Sequence, residues 1–243
     1  MKLIAVNVGM PRTVVWKGKS VTTGIYKQSV HGRIALRTLN LDGDRQADPT
    51  VHGGPSKAIY AYPAEHYDFW RRELPGTELP WGSFGENFTT EGLHEDAVCI
   101  GDRFGIGTAA VVVTEPRLPC YKLAGRFRRQ DLIKRFLASG RTGFYFAVAR
   151  EGEVGAGDRI QRLARDPHGV TVADITRLYA RDKKNLALLR RAVEAEALPE
   201  SWRVYFAERI AKLERGGGAG ARAADERAAA DDEAAADENS ADD

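Results

Sequence analysis

The sequence predicts a mainly β protein with α elements: a β-barrel domain over residues 1–165, a small C-terminal three-helix domain over 171–213, and a disordered acidic tail over 216–243. Three observations predict it. Short β-branched or aromatic runs, separated by Gly, Pro, Asn and Asp, fill the first 170 residues. From Thr171 the apolar residues take a helical period. Beyond Arg215 the chain is almost all Ala, Asp, Glu and Gly, which cannot bury enough apolar surface to offset the entropy of ordering.

Taken in order, LIAVNV (3–8), VTTGIYK (21–27), RIALRTL (33–39), AAVVVTE (109–115), GFYFAVA (143–149) and the segment around DRIQRL (158–163) read as strands. Closure into a barrel or a curled sheet would dispose of their edges. One helix is expected to start at Pro63, a favoured first helical residue, and run through AEHYDFWRREL. It would place Tyr62, His66, Phe69, Trp70 and Leu74 on one packing face. A second is expected over 129–138, closed by Ser139 and Gly140. After a linker at 164–169, VADITRLYAR, NLALLRRAVEAE and PESWRVYFAERIAKL supply the three C-terminal helices, too short a unit to count on standing alone.

The 243 residues carry a formal net charge of +2, but the total hides a split. The tail holds 9 acids and 2 arginines, which leaves +9 on residues 1–215 and room there for anionic ligands. No run approaches the roughly 18 apolar residues that a spanning helix needs. The N-terminal MKLIAVNVGMPRT reads as a first strand and has no cleavage-site pattern. Two cysteines, Cys99 and Cys120, make neither a disulfide framework nor a CxxC zinc site, so a cytoplasmic location is expected.

The segment VTEPRLPCYKL (113–123) carries the strongest chemistry. A strand runs into a Pro-stiffened loop that presents Cys120 between Pro119 and Tyr121, with Arg117 and Lys122 close by. Neighbouring cations favour the thiolate, the form that binds metals or attacks electrophiles. A buried, inert cysteine is the other reading, and Cys99 in AVCIG fits that one well. In TVHGGPSKAIYAYP (50–63), Gly53 and Gly54 can turn backbone N–H groups toward a ligand, flanked by His52 and Lys57; a Gly-Gly-Pro turn with a solvated lysine is the plainer alternative.

Other signatures fail. Gly18-Lys19-Ser20 lacks the P-loop glycine, since Thr13 stands there. Gly105-Ile106-Gly107 leads into a strand instead of the helix a dinucleotide fingerprint needs. Asp42, Asp44, Asp48 and His52 could ligate a hard cation, but Gln46 and Ala47 break the calcium-loop pattern and a tight turn is the better reading. Cys120 could pair with His31, His52, His66 or His94 in a Cys–His hydrolase, although His66 sits on a packing face. No G-x-S-x-G elbow is present.

LDGDRQADPTVHGGPSKAIYAYPAEHYDFW, GSFGENFTTEGL, VCIGDRFGIGTA, EPRLPCYKL and TGFYFAVAREGEVGAGD, in that order, resemble the MOSC domain family, and within it the YiiM-type branch. The resemblance covers nearly all of residues 1–165, and the helices at 171–213 resemble that branch's three-helix domain. It implies a barrel-like domain binding the molybdenum cofactor, with Cys120 as the thiolate ligand to molybdenum and the catalytic cysteine. By the same carry-over Lys27, His52, Lys57, Arg117 and Lys122 would face the phosphate and pterin oxygens. Gly53 and Gly54 would admit backbone to the ligand, and Asn87 and Thr114 would bond the pterin edge. Arg33, Arg37 and Arg45 are alternative cations. Pyridoxal phosphate binding, known elsewhere in the superfamily, is not expected.

The activity so implied is reduction of N-hydroxylated compounds, such as hydroxylaminopurine-like base analogues, to amines. With too few cysteines for a four-thiolate cluster and no flavin fingerprint, electrons would come from an external reductase, a flavoprotein. The alternative is a sulfur or cofactor carrier holding a persulfide on Cys120. A nucleic-acid reader is disfavoured, because residues 171–215 hold 10 Lys+Arg against 7 acids, a weak footprint; a docking surface for the redox partner or a subunit contact fits them better.

Overall fold

The computed structural model describes residues 1–48 and 53–215; the expected disordered tail and His52 lie outside the described residues. Twelve strands are present among them: β1 (Lys2–Val8), β2 (Arg12–Trp16), β3 (Lys19–Thr23), β4 (Gln28–Ser29), β5 (Arg33–Leu36), β6 (Ile59–Pro63), β7 (Phe88–Glu91), β8 (Arg103–Ile106), β9 (Ala109–Pro116), β10 (Phe144–Arg150), β11 (Gly152–Gly155) and β12 (Ile160–Ala164). Helices α1 (His66–Glu73), α2 (Tyr121–Phe127) and α3 (Leu132–Ser139) interrupt them, and α4 (Val172–Ala180), α5 (Leu186–Glu194) and α6 (200–215) follow. No described helix is long and apolar enough to cross a membrane.

Eight strands form one sheet in the order β12-β8-β9-β10-β6-β7-β1-β4, antiparallel except for the β6–β7 pair. The sheet curls until β1 meets the entry to β12. Ile160 N–H donates to Met1 O (3.0 Å), Leu3 N–H to Asp158 O (2.9 Å) and Gly157 N–H to Leu3 O (2.7 Å). That short seam, and not a continuous ladder, gives the barrel-like shape. β2 and β3 form a separate hairpin, and β5 pairs only with β11.

Two layers of packing fix the site. Inside the sheet, Val111, Val113, Phe144 and Phe146 from the two longest neighbouring strands join a core that runs without a break into Ile175, Leu178, Leu189 and Phe206 of the C-terminal helices. Those helices share the barrel's core and have none of their own. Outside β6, an aromatic cluster of Tyr60, Tyr62, Tyr67, Trp70, Phe84 and Phe136 takes in Leu123 of α2 and Leu132 of α3. Each such buried side chain contributes roughly 1.5–3 kcal/mol, and this second layer presses α2 against the barrel.

The structure departs from the sequence expectations in five places. Pro63 does not open a helix: it ends β6, opposite Thr90, and α1 begins at His66. Pairing with neighbours on both sides outweighs the local proline signal, and Pro63 has no N–H to lose from the ladder. The second helix starts at Leu132, later than expected, though Gly140 closes it in the left-handed conformation as read. The loop presenting Cys120 passes directly into α2, a helix the sequence reading missed. The 21–27 run is strand only as far as Thr23, and the 33–39 run only as far as Leu36.

Gly143 is indispensable to this layering. Its φ is +64°, and a Cβ there would stand 2.4 Å from Ala61 O and 2.8 Å from the Tyr60 and Tyr62 rings. Gly143→Ala is expected to cost about 3 kcal/mol from backbone strain and overpacking together. That amounts to a fall of about 10 °C in Tm for a domain of this size, which a thermal melt would read.

Candidate active site

β9 carries the chain to Pro116, which pairs with Phe144; Arg117, Leu118 and Pro119 then leave the sheet. Cys120 follows in extended conformation, φ −121° and ψ 172°, and its carbonyl accepts the Leu123 N–H (3.0 Å). The thiol is half-buried at the wall of an open cleft of about 600 Å³. Lys27, Arg45, Lys57, Arg117 and Lys122 line the same cleft, together with Asp44, Asn87, Tyr60, Phe84 and Tyr145. Eight residues singled out in the sequence therefore converge: Lys27, Asp44, Arg45, Lys57, Asn87, Arg117, Cys120 and Lys122.

Their surroundings differ. Lys27 is buried and bonds Asp44 Oδ1 at 2.5 Å. Burial pulls its ammonium below the ordinary lysine range, while Asp44 pulls the other way. Asp44 also accepts the Gly9 N–H (2.8 Å) and, through Oδ2, the Asn87 amide (2.9 Å). Asn87 in turn accepts the Tyr60 N–H (3.2 Å) and donates to Asn7 O (3.3 Å). Asn87 is thus occupied within the protein, holding Asp44 and β6 in place, and does not turn its amide outward. Glu86 beside it is fully buried, accepting from Gly82 N–H (2.7 Å), Phe84 N–H (3.1 Å), Thr89 and Tyr67, so the GSFGENF loop is built around this carboxylate. Burial raises its pKa.

Arg117 is the distinctive cation. It is 5% exposed, its guanidinium lies 5.4 Å from the Tyr60 ring and 5.5 Å from that of Phe136, and Nη1 is buried with no hydrogen-bond partner. Burial opposes its charge, but the facing Tyr60, Cys120 and Tyr145 outweigh that and hold the proton more firmly than usual. Burial also pushes the Tyr145 hydroxyl up to about 12, so it keeps its proton at neutral pH. Arg117 lines the cleft while its Nη1 stays buried without a partner, which costs free energy unless a polar group completes it.

Other sequence candidates lie elsewhere. Thr114 is off the cleft wall, its hydroxyl bonded to Ser56 O (2.6 Å) and Tyr145 O (3.1 Å). Gly53 and Gly54 are not in the lining either; Gly54, at φ +88°, leads into a 3-10 turn (Pro55–Lys57) that positions Lys57. Arg33 and Arg37 are exposed and paired with Asp158 and Asp42. No cluster of His, Cys, Asp or Glu among the described residues is arranged to hold a metal ion; in the 42–48 loop, Asp44 pairs with Lys27. His66 is buried against Glu95 (2.7 Å) and shares a separate cleft with His94, and no histidine among the described residues lines the Cys120 cleft. A Cys–His pair is therefore absent among those residues. Cys99 is fully buried, and burial raises its thiol pKa.

Sequence reasoning missed Asp44 as the partner of Lys27, and Tyr60 and Tyr145 as cleft walls. Only the tyrosines gave a signal, as alternate aromatics in IYAYP and GFYFAVA.

A barrel-like sheet with a cation-lined cleft and a cysteine at its wall defines a class, and comparison identifies it. The MOSC domain matches residues 48–161, and the chain belongs to this family. More particularly, residues 170–213 match the YiiM-like 3-alpha helix domain. YflK of Bacillus subtilis, an uncharacterized protein, is 41% identical over 211 residues, 87% of this chain and 95% of that one. YiiM of Escherichia coli is 37% identical, over 74% of this chain and 81% of its own. A protein of Gibberella moniliformis named reductase is 33% identical over 73% of this chain, which spans 32% of that longer protein. The crystal structure of YiiM from Geobacillus stearothermophilus superposes with a TM-score of 0.73 at 35% identity, covering 86% of this chain and 98% of that one.

Proposed function

We propose that the protein is a molybdenum-cofactor-dependent oxidoreductase that reduces N-hydroxylated compounds, hydroxylaminopurine-like base analogues among them, to amines. The observation that carries this reading is the buried Arg117, its Nη1 unsatisfied, in the same cleft as Cys120. A soft thiolate donor and a cation waiting for an anion are the two things a dithiolene-bound metal with a phosphate arm requires. Membership of the MOSC family and a relative named reductase support it.

Cys120 would hold the metal, and Arg117 and Lys122 the anionic oxygens. Lys27, already satisfied by Asp44, would contribute charge from behind the wall. His52, outside the described residues, stays a candidate on the sequence alone. Reduction of R–NHOH to R–NH2 and water takes two electrons and two protons; the cofactor, when bound, supplies two-electron chemistry at its metal. Tyr60, Phe84 and Tyr145 offer flat apolar surface to a planar heterocycle. Electrons would come from a separate flavoprotein reductase, since two cysteines are too few for a four-thiolate cluster.

The test is turnover. Protein from a cofactor-competent host, given a flavoprotein donor, is expected to convert 6-hydroxylaminopurine to adenine. Intact substrate with loaded protein would refute the activity. Reductant-releasable sulfur on Cys120 without molybdenum would instead establish the carrier reading.

A further inference from the structure

Glu115 is a buried carboxyl group that the reading above leaves unused. It sits on β9 and is 5% exposed. Its Oε2 accepts the indole N–H of Trp202, on α6, at 2.9 Å, and lies 3.9 Å from Lys57 Nζ in the cleft wall. Its Oε1 is buried with no hydrogen-bond partner. A side chain from the C-terminal helices thus grips an acid directly behind a cleft lysine.

We propose that Glu115, held by Trp202, is the proton reservoir behind Lys57 for cleavage of the substrate N–O bond. This rests on the reductase reading. In the step, the flavoprotein donor supplies two electrons and the N–O bond breaks. The Lys57 ammonium gives one proton to the departing hydroxyl oxygen, which leaves as water; the nitrogen takes its second proton from solvent. The Glu115 carboxyl group then reprotonates Lys57 and is itself refilled from solvent after product leaves.

The neighbours favour this assignment. On its protein side Lys57 has the Glu115 carboxyl group 3.9 Å away as a proton source. Tyr145 holds its proton too tightly to serve, with its pKa pushed up to about 12. Glu115 is the better acid: burial lifts it above the ordinary carboxylate range, while Lys57 and the Trp202 N–H pull it down. The titratable or charged groups facing it are Lys57 on the 3-10 turn and Tyr145 on β10, with Tyr179 of α4 edge-on to Trp202 at 5.6 Å.

The sign follows. The acid donates only while protonated, so kcat is expected to fall as pH rises through the Glu115 pKa. Trp202→Phe keeps the ring but loses the bond that favours the carboxylate, so the limb should move to higher pH. Glu115→Gln should lower kcat by about 100-fold, abolish the limb and leave molybdenum content unchanged. An independent reading uses full-length protein without cofactor. The infrared carbonyl band of protonated carboxyls should lose a component in Glu115→Gln and titrate at higher pH in Trp202→Phe. An unchanged kcat in Glu115→Gln, or a limb and band that stay put in Trp202→Phe, overturns the inference alone. Loaded wild type that reduces nothing overturns the reductase reading and this inference with it.

Discussion

Cys120→Ala, purified from a cofactor-competent host, is expected to carry essentially no molybdenum where wild type carries about one per chain. Cys120 is the sole cysteine on the cleft wall, because Cys99 is fully buried elsewhere. Removing the thiol removes the soft donor, and no cluster of harder ligands among the described residues stands ready to replace it. The fold should not suffer. Cys120 is half-buried at the junction of loop and helix, so the change should stay within about 0.5 kcal/mol of wild type. Cys99→Ala reverses the pattern, keeping metal while losing about 1 kcal/mol of packing. Elemental analysis beside thermal melts checks both. Metal retained by Cys120→Ala would remove this residue from the site.

Arg117→Met should separate stability from function. The guanidinium is buried between aromatic rings with Nη1 unsatisfied, an arrangement that costs the cofactor-free protein free energy. Methionine fills similar volume without a charge, so cofactor-free Arg117→Met is expected to melt at the same temperature as wild type or a few degrees above it. Cofactor retention should fall about 100-fold or more, since a charge pair inside a closed site is worth roughly 2–5 kcal/mol. Paired melts and molybdenum content after dialysis test this. A variant that melts lower yet keeps its cofactor would make Arg117 a structural cation.

The strands at 3–8, 109–115, 143–149 and 158–163 were legible because β-branched and aromatic runs between turn residues have few other ways to fold. β6 was not, since IYAYP abuts a proline that also begins helices well, and only its parallel pairing with β7 settles the matter. α2 was hidden because YKLAGRF carries a central glycine and follows a Pro-rich loop.

Sequence alone set the succession of a mainly β part followed by helices, the charge split between body and tail, and Cys120 as the cysteine with two cations close by in the chain. Each depends on residues close together in the chain. Tertiary structure alone decided how the cations differ. Lys27 is spoken for by Asp44, Asn87 by Asp44 and Tyr60, and Glu115 by Trp202, 87 residues away. Arg117, two residues past Glu115, lines the cleft and keeps one buried N–H unsatisfied. The reason is physical. Whether a charge is paired, buried or left waiting depends on which faces the sheet register brings together, and sequence spacing says nothing of that.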